Sequence, residues 1–221
     1  MSVKATIFDL DGTLLDTLAD LRESLVLALG EFGLPVWFDA DTFKLMVGNG
    51  SVALIKRALG SGLQDDEQLV AELRKSYLSA YEKRLFHLTR PYPGVPELLG
   101  RLKARGFKMG VWSNKDDIFA KPLIDEFFPG LFAKVMGAAP ERPPKPDPQA
   151  GLELAAFLGA SPERLFYLGD SEVDMETAKN CGFIALGVAW GFRSDKDLSS
   201  AGADAILYFP EDFFQYLSLG N

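Results

Sequence analysis

The sequence predicts an α/β fold in which a doubly wound, Rossmann-like parallel sheet is interrupted by an inserted all-helical domain. Residues 3–8 form a short run of mainly β-branched and aromatic residues that stops at an acidic cluster. From residue 17 to 90 apolar side chains recur at helical spacing, whereas after residue 90 short apolar runs alternate with helical segments. Such alternation is typical of parallel strands joined by crossover helices.

The inserted domain is predicted to contain several helices. The first follows Asp16 or Thr17 as the candidate N-cap and ends before Gly33 and Pro35. Its apolar residues are three or four positions apart, at Leu18, Leu21, Leu25, Leu29 and Phe32. Further helices are expected at about 40–47, 51–59 and 65–86, with a Gly-Asn-Gly turn between the first two of these.

We assign residues 1–16 and 91–221 to the core and residues 17–90 to the helical domain. After the proline-rich break that begins at Pro91, the pattern predicts a helix at 95–105 and strands at 107–112, 131–136, 165–168 and 184–188. In an open parallel sheet, ligands bind beyond the carboxyl ends of the strands. The polar residues that follow each strand are therefore the candidate site.

The amino-acid composition excludes several classes of binding partner. The chain has 23 Lys and Arg against 31 Asp and Glu, a net charge of −8 and no basic run, so neither nucleic acid nor an anionic membrane is expected. The single cysteine, Cys181, cannot form an internal disulfide and is expected to be a buried thiol. No signal-peptide core and no apolar run of ~20 residues is present. We expect a cytoplasmic monomer or homodimer that acts on a small molecule.

Two carboxylates, Asp9 and Asp11, follow the first strand. Close carboxylates repel each other unless a cation or a shared proton lies between them. Gly12 and Thr13 then permit a tight turn with a hydroxyl and backbone N–H groups facing the same space. This pattern favours a site that holds a cation and an anion together.

Three later strand ends supply the remaining candidates. Ser113 and Asn114 offer the hydroxyl and amide donors that an oxyanion needs, and Lys145 lies in a Lys-Pro-Asp-Pro segment. Asp170 and Asp174 are one helical turn apart if a helix begins there. Hard oxygen ligands in this number suit Mg²⁺, whereas one His and one Cys argue against zinc. A magnesium ion beside a lysine suits a phosphate.

The polar residues at these four strand ends, taken in chain order, resemble the four signature motifs of the haloacid dehalogenase superfamily. The helical insertion resembles that family's cap domain. The resemblance covers nearly the whole chain. It implies that Asp9 is the nucleophile that attacks phosphorus, and that Asp11 protonates the leaving oxygen and then activates water.

The resemblance also implies the roles of the other polar residues. Asp9, Asp11 through its backbone carbonyl, and Asp170 would hold Mg²⁺, with Asp174 supporting them. The phosphoryl oxygens would be bound by Thr13, Ser113, Asn114 and Lys145, and Lys145 would also balance the charge of the reacting anions.

The second carboxylate of the first motif fits phosphatases and phosphomutases, whereas haloalkanoate dehalogenases have a different residue there. Similarity at residues 12–17, 47–50, 113–115 and 169–182 points to the phosphoglycolate phosphatases, which act on a small phosphorylated metabolite. Pyrophosphatase, nucleotidase and phosphosugar mutase activities remain alternatives on the same scaffold. A phosphate-binding regulatory module without turnover is the alternative from another class.

Some residues have two interpretations. The turn Gly48-Asn49-Gly50 either faces the substrate or is an ordinary helix connection. His87 is expected at a helix end rather than in catalysis. The aromatic segment at 190–192 is expected to pack in the core, with lining of the site as the alternative.

Overall fold

The computed structural model describes residues 4–219, which contain eight β-strands and ten α-helices. In chain order the strands are β1 (Ala5–Phe8), β2 (Leu15–Asp16), β3 (Arg90–Pro91), β4 (Lys108–Asp116), β5 (Lys134–Ala138), β6 (Leu165–Gly169), β7 (Ile184–Val188) and β8 (Ala205–Leu207). The helices are α1 (Leu18–Glu31), α2 (Ala40–Met46), α3 (Gly50–Leu59), α4 (Glu67–Arg84), α5 (Val95–Ala104), α6 (Asp117–Phe127), α7 (Gln149–Leu158), α8 (Glu172–Cys181), α9 (Asp195–Ala201) and α10 (Asp212–Leu219).

Six strands form one sheet in the order β5-β4-β1-β6-β7-β8, and every neighbouring pair is parallel. β1 lies in the middle, so the chain winds outward from it in both directions. This topology confirms the predicted doubly wound α/β core. It also places the carboxyl ends of β1, β4 and β6 side by side.

The sheet is covered on both faces, which explains why β1 is apolar throughout. Ile7 belongs to one apolar cluster with Trp112, whereas Phe8 belongs to another with Leu168. The second cluster continues into the helical insertion, where it includes Tyr81. Burial on both faces gives a continuous apolar run rather than strict alternation.

The four helices α1–α4 lie between the short strands β2 and β3. These two strands pair antiparallel, so a two-stranded ribbon joins both ends of the insertion to the core. The buried Asp20 of α1 accepts hydrogen bonds from the backbone N–H groups of Leu88 and Thr89, at 2.8 and 2.7 Å. The chain returning from α4 is thereby held against α1. We call α1–α4 the cap; its division from the core at residues 16/17 and 90/91 stays a prediction.

Several predicted elements differ in extent. β4 continues to Asp116 with a register shift after Trp112, so the polar residues predicted to follow the strand lie in its irregular end. Thr17 precedes α1 without a capping hydrogen bond, and its hydroxyl donates to Asp11 instead. The Cys181 thiol is buried, as predicted. Among the helices of residues 4–219, none is long and apolar enough to cross a bilayer.

Candidate active site

A cleft between the carboxyl ends of the central strands and the cap contains most of the candidate residues. The core contributes the polar lining residues Asp9, Asp11, Ser113, Asn114, Lys115, Asp116, Asp170 and Ser171. The cap contributes Leu21, Val47, Gly48, Gly50, Ser51, Leu54, Tyr77, Leu78 and Tyr81. The cleft is therefore polar and acidic on the core side and largely apolar on the cap side.

Lys145 lies beneath the cleft, with its side chain only 2% exposed. Its Nζ is 2.9 Å from Asp9 Oδ1 and 2.6 Å from Asp174 Oδ1, and it donates to the Tyr167 hydroxyl at 3.0 Å. Burial alone would lower the pKa of Lys145, but the charges of Asp174 and Asp9 raise it well above its usual value. The lysine is therefore a permanent cation between two carboxylates.

One ammonium does not balance the buried acids. Burial raises the pKa of Asp9 to about 6, with the charge of Lys145 opposing and that of Asp174 adding to the shift. Burial, followed by the charges of Asp174 and Asp9, raises the pKa of Asp170 well above its usual range. The raised pKa values of Asp9 and Asp170 show that this cluster of three carboxylates has a deficit of positive charge.

The same three carboxylates can supply a metal site. One oxygen each from Asp9, Asp170 and Asp174 lies within 4.8 Å of the others. Within residues 4–219, Asp9 Oδ1 has the close ion pair with Lys145 but no hydrogen-bond partner of good geometry. A buried carboxylate oxygen without a directed donor and an all-oxygen donor set fit a hard divalent cation.

The carboxylates of Asp170 and Asp174 differ in how many hydrogen bonds they accept. Asp174 Oδ2 accepts from the Ser171 hydroxyl and backbone N–H, and its Oδ1 accepts from Lys145 and lies 3.2 Å from the Tyr167 hydroxyl. Asp170 accepts one bond at each oxygen, from the Thr13 hydroxyl at 3.0 Å and the Phe192 N–H at 2.8 Å. Asp174 is thus occupied at both oxygens, which suits a supporting role, whereas Asp170 keeps lone pairs for a ligand.

Two glycines allow the backbone to close around Asp170. A Cβ on Gly12 would lie 2.1 Å from Asp170 Oδ2, and Gly12 has a φ of +81°. A Cβ on Gly191 would lie 2.3 Å from the Cβ of Asp170 and 2.4 Å from the Gly12 carbonyl oxygen. Neither position has room for a larger residue, because real Cβ atoms essentially never approach other atoms so closely.

Asp11 points to a different set of partners. The Thr17 hydroxyl donates to its Oδ1 at 2.6 Å, and Lys115 Nζ lies 2.9 and 3.2 Å from its two oxygens. The Lys115 ammonium also lies 4.4 Å from the centre of the Tyr81 ring. The Asp11 carboxylate is therefore held at the border between core and cap.

The remaining predicted phosphate ligands are placed as follows. Ser113 is buried and lines the cleft, where its Oγ accepts from the Lys115 N–H at 3.3 Å. The Asn114 amide accepts from the Lys145 N–H at 2.8 Å and donates to the Lys145 carbonyl at 3.1 Å, so it holds the lysine-bearing loop in place. The Thr13 hydroxyl is engaged by Asp170. Phosphate binding by these groups stays a prediction.

The predicted cap turn is only partly in the cleft. Gly48 and Gly50 line it, and Asn114 Nδ2 lies 3.5 Å from the Gly48 carbonyl oxygen. The exposed side chain of Asn49 accepts instead from Arg57 at 2.6 Å. Backbone groups of this turn, rather than its amide side chain, therefore face the site.

Residues 6–188 match the haloacid dehalogenase-like hydrolase family. The chain belongs to this family. It is 32% identical over 220 residues to the N-acetylmuramic acid 6-phosphate phosphatase of Pseudomonas aeruginosa, covering 98% of this chain and 96% of that protein. It is 32% identical over 216 residues to a phosphoglycolate phosphatase of Aquifex aeolicus, covering 97% of both.

A crystal structure from Lactobacillus delbrueckii subsp. bulgaricus, described provisionally as a phosphoglycolate phosphatase, superposes with a TM-score of 0.89 at 33% identity. The superposition covers 96% of this chain and 97% of the Lactobacillus chain. The predicted enzyme class, a phosphatase of the haloacid dehalogenase-like family, is confirmed by these relatives. The dehalogenase name therefore describes the family and not this chain's chemistry.

Sequence reasoning missed several side chains of this haloacid dehalogenase-like site. The sequence presents Lys115 only as part of a motif, and it does not mark Tyr81 or Tyr167 as site residues. Phe192 is buried in the core, as expected, and also lines the cleft, which was the stated alternative; its N–H donates to Asp170. Position after a strand was the available signal for Lys115. No sequence signal marks a tyrosine inside a strand or helix as a site residue.

Proposed function

We propose that this chain is a magnesium-dependent phosphomonoester hydrolase that forms a phospho-aspartate on Asp9. The observation that carries the proposal is the pairing of Asp9 with Lys145 at the end of β1, with Asp170 and Asp174 alongside. A nucleophilic carboxylate, a fixed cation and a cation site in one buried cluster support attack on a phosphate ester.

The side chains would act in sequence. Asp9 forms a bond to phosphorus as the ester P–O bond breaks, and Asp11 gives its proton to the leaving oxygen. Water then attacks the phospho-aspartate while Asp11 takes the proton of that water, which releases phosphate and restores Asp9. Lys145 would neutralise charge on Asp9 and on the phosphoryl oxygens.

Asp9, Asp170 and the backbone carbonyl of Asp11 would hold Mg²⁺, with Asp174 behind them. When bound, Mg²⁺ supplies the positive charge that brings the phosphate and the carboxylates together. Thr13 and Phe192 orient Asp170 for this role.

The substrate is proposed to be a small phosphorylated carboxylic acid, with phosphoglycolate as the leading candidate. The names of two relatives, phosphoglycolate phosphatase and N-acetylmuramic acid 6-phosphate phosphatase, each denote a phosphate ester that also carries a carboxylate. A cytoplasmic location and a monomer or homodimer remain part of the proposal.

Phosphate release from a panel of phosphorylated metabolites, with Mg²⁺ or with chelator, tests the proposal. We expect Asp9→Asn to lose about a thousand-fold or more in kcat, because it removes the nucleophile. The matched control is Asp65→Asn, which alters an exposed carboxylate in the loop before α4 and should keep full activity. An isomeric sugar phosphate formed without free phosphate would indicate a mutase instead, and no turnover of any ester would favour a binding module.

A further inference from the structure

Lys115 is the one cationic side chain among the described residues that line the cleft. The charged groups that line it beside Lys115 are the carboxylates Asp9, Asp11, Asp116 and Asp170. The cap wall opposite is neutral and mostly apolar. Lys145 and Arg74 lie behind this lining, where they pair with Asp9 and Asp116, so a negatively charged leaving group in the cleft would meet Lys115 as the cation of the wall itself.

The surroundings of the ammonium show why it is available to a ligand. The Lys115 side chain is 5% exposed, and burial of a lysine at this level is costly unless the charge is paired. Its partners in the structure are the Asp11 carboxylate and the face of the Tyr81 ring. An ammonium has three donors, so it can hold Asp11 and a second carboxylate together. The buried hydroxyl of the same tyrosine has no hydrogen-bond partner within residues 4–219.

The position of Lys115 relative to the reacting atoms is set by Asp11. In the proposed reaction Asp11 protonates the leaving oxygen, and Lys115 Nζ lies 2.9 Å from that carboxylate. In phosphoglycolate the carbon that bears the leaving oxygen also bears the carboxylate. A substrate placed for proton transfer from Asp11 therefore brings its carboxylate to the ammonium.

We propose that Lys115 determines substrate specificity by binding a carboxylate carried by the leaving group. The inference rests on the phosphatase function proposed above and deepens it by assigning the residue that selects phosphate esters of short hydroxy acids over neutral esters. A lysine that served only to hold Asp11 would affect all esters equally, whereas a carboxylate-binding lysine affects acids selectively.

The test compares kcat/KM with Mg²⁺ for three esters of nearly equal size: phosphoglycolate, its carboxamide and ethyl phosphate. The parent is expected to prefer the acid over both neutral esters by about ten- to a hundred-fold, the usual value of a buried charge-assisted hydrogen bond. Lys115→Met should abolish most of this preference, chiefly through a higher KM for phosphoglycolate. Lys115→Arg should keep a preference for the acid, because it retains the charge.

The matched control is Lys121→Met, which removes a lysine that is 55% exposed and pairs with Asp117 on the same helix. It should leave the preference at the parent value. Equal use of the acid and the carboxamide by the parent would overturn the inference without any variant, even if Lys115→Met does not fold. An equal loss on all three esters in Lys115→Met would also overturn it. Absence of Asp9-dependent phosphate release from every ester would overturn the proposed function itself, and this inference with it.

Discussion

At the scale of single residues, the burial of Asp9 beside other carboxylates determines how the site responds to pH and metal. The folded-state pKa of Asp9, about 6, lies above its ordinary value of 3.8 because burial disfavours the carboxylate. The folded protein therefore holds this proton over a pH range in which the unfolded chain has lost it. Asp9 therefore lowers the free energy of unfolding at high pH. This destabilisation is absent below about pH 4 and complete above about pH 6, and a shift of about two pKa units corresponds to about 3 kcal/mol.

Because ionised Asp9 destabilises the folded protein, we can predict the stability of Asp9→Asn when a chelator has removed divalent metal ions. The variant should be more stable than the parent at about pH 7.5, and its advantage should shrink as the pH falls to about 5, because the parent Asp9 then binds its proton. Adding Mg²⁺ should reverse the order at about pH 7.5 by stabilising the parent alone. Urea unfolding at the two pH values measures this. A stability difference that does not depend on pH would contradict it.

Tyr167 is expected to position the Lys145 ammonium. Its hydroxyl lies 3.0 Å from Lys145 Nζ and donates at 3.2 Å toward either Asp174 Oδ1 or the Trp112 carbonyl. Tyr167→Phe should cost about 1 kcal/mol of stability and lower kcat by about five- to fifty-fold with little change in KM.

The control for Tyr167→Phe is Tyr208→Phe. It removes an exposed hydroxyl that donates to Asp195 at 2.9 Å, far along the chain from the site motifs. It should leave kcat unchanged. If Tyr167→Phe lowered stability and kept full kcat, the hydroxyl would be structural only.

The residues that could be identified from the sequence are those that follow strands. Asp9 and Asp170 belong to this group, because parallel strands end at one edge and their next residues must meet there. The pairing of Lys115 with Asp11 could not be predicted, because position after a strand brings residues to one edge without defining which side chains pair there. Tyr167 sits inside β6, where an aromatic residue predicts only a strand. Its contact with Lys145 depends on a proline-rich loop whose path the sequence does not define.

At the scale of elements, two helices begin with the same capping box but differ in their surroundings. At α8 the Ser171 hydroxyl accepts from the Asp174 N–H while the Asp174 carboxylate binds the Ser171 N–H. At α9, Ser194 and Asp197 form the same pair on the surface. The first box therefore orients a carboxylate of the site, and the second only begins a helix.

Ser171→Ala and Ser194→Ala should therefore separate stability from function. Each should cost about 1 kcal/mol, the usual value of an N-cap. Ser171→Ala should also weaken Mg²⁺ binding by about ten-fold, because Asp174 loses a donor that holds it. Calorimetric titration with Mg²⁺ checks this. Equal Mg²⁺ affinity in the two variants would show that the Asp174 orientation does not depend on the cap.

Long amphipathic helices were the elements best predicted from the sequence. The spacing of apolar residues in α1 and α4 reflects one buried face, which the structure retains. The ribbon of β2 and β3 was not predicted, because two residues per strand carry no periodicity. The irregular end of β4 was missed for a related reason. Its polar residues predict a loop, but pairing with β5 at Asp116 keeps it in the sheet.

At the scale of the whole molecule, two sets of polar contacts hold the cap on the core. Arg193, which follows β7, donates to the carbonyls at the end of α2, namely those of Lys44, Leu45 and Val47, at 2.9 to 3.1 Å. On the other side, Arg74 of α4 forms an ion pair with Asp116, and Ser51 donates to the same carboxylate at 2.9 Å. Because Asp116 directly follows Lys115, cap closure and the position of the proposed specificity residue are connected.

Arg74→Met should weaken closure of the cap while leaving both domains folded. The pair with Asp116 joins α4 to the core, so its loss favours the open arrangement, in which the cleft admits water and binds substrate less tightly. We expect a KM about two- to ten-fold higher, an increased radius of gyration by small-angle scattering, and only a small change in thermal stability.

The control is Arg84→Met on the same helix, which loses a pair with Glu23 inside the cap and should change neither KM nor the radius of gyration. Equal KM values in the two variants would mean that closure depends on the Arg193 contacts and on apolar packing rather than on this ion pair.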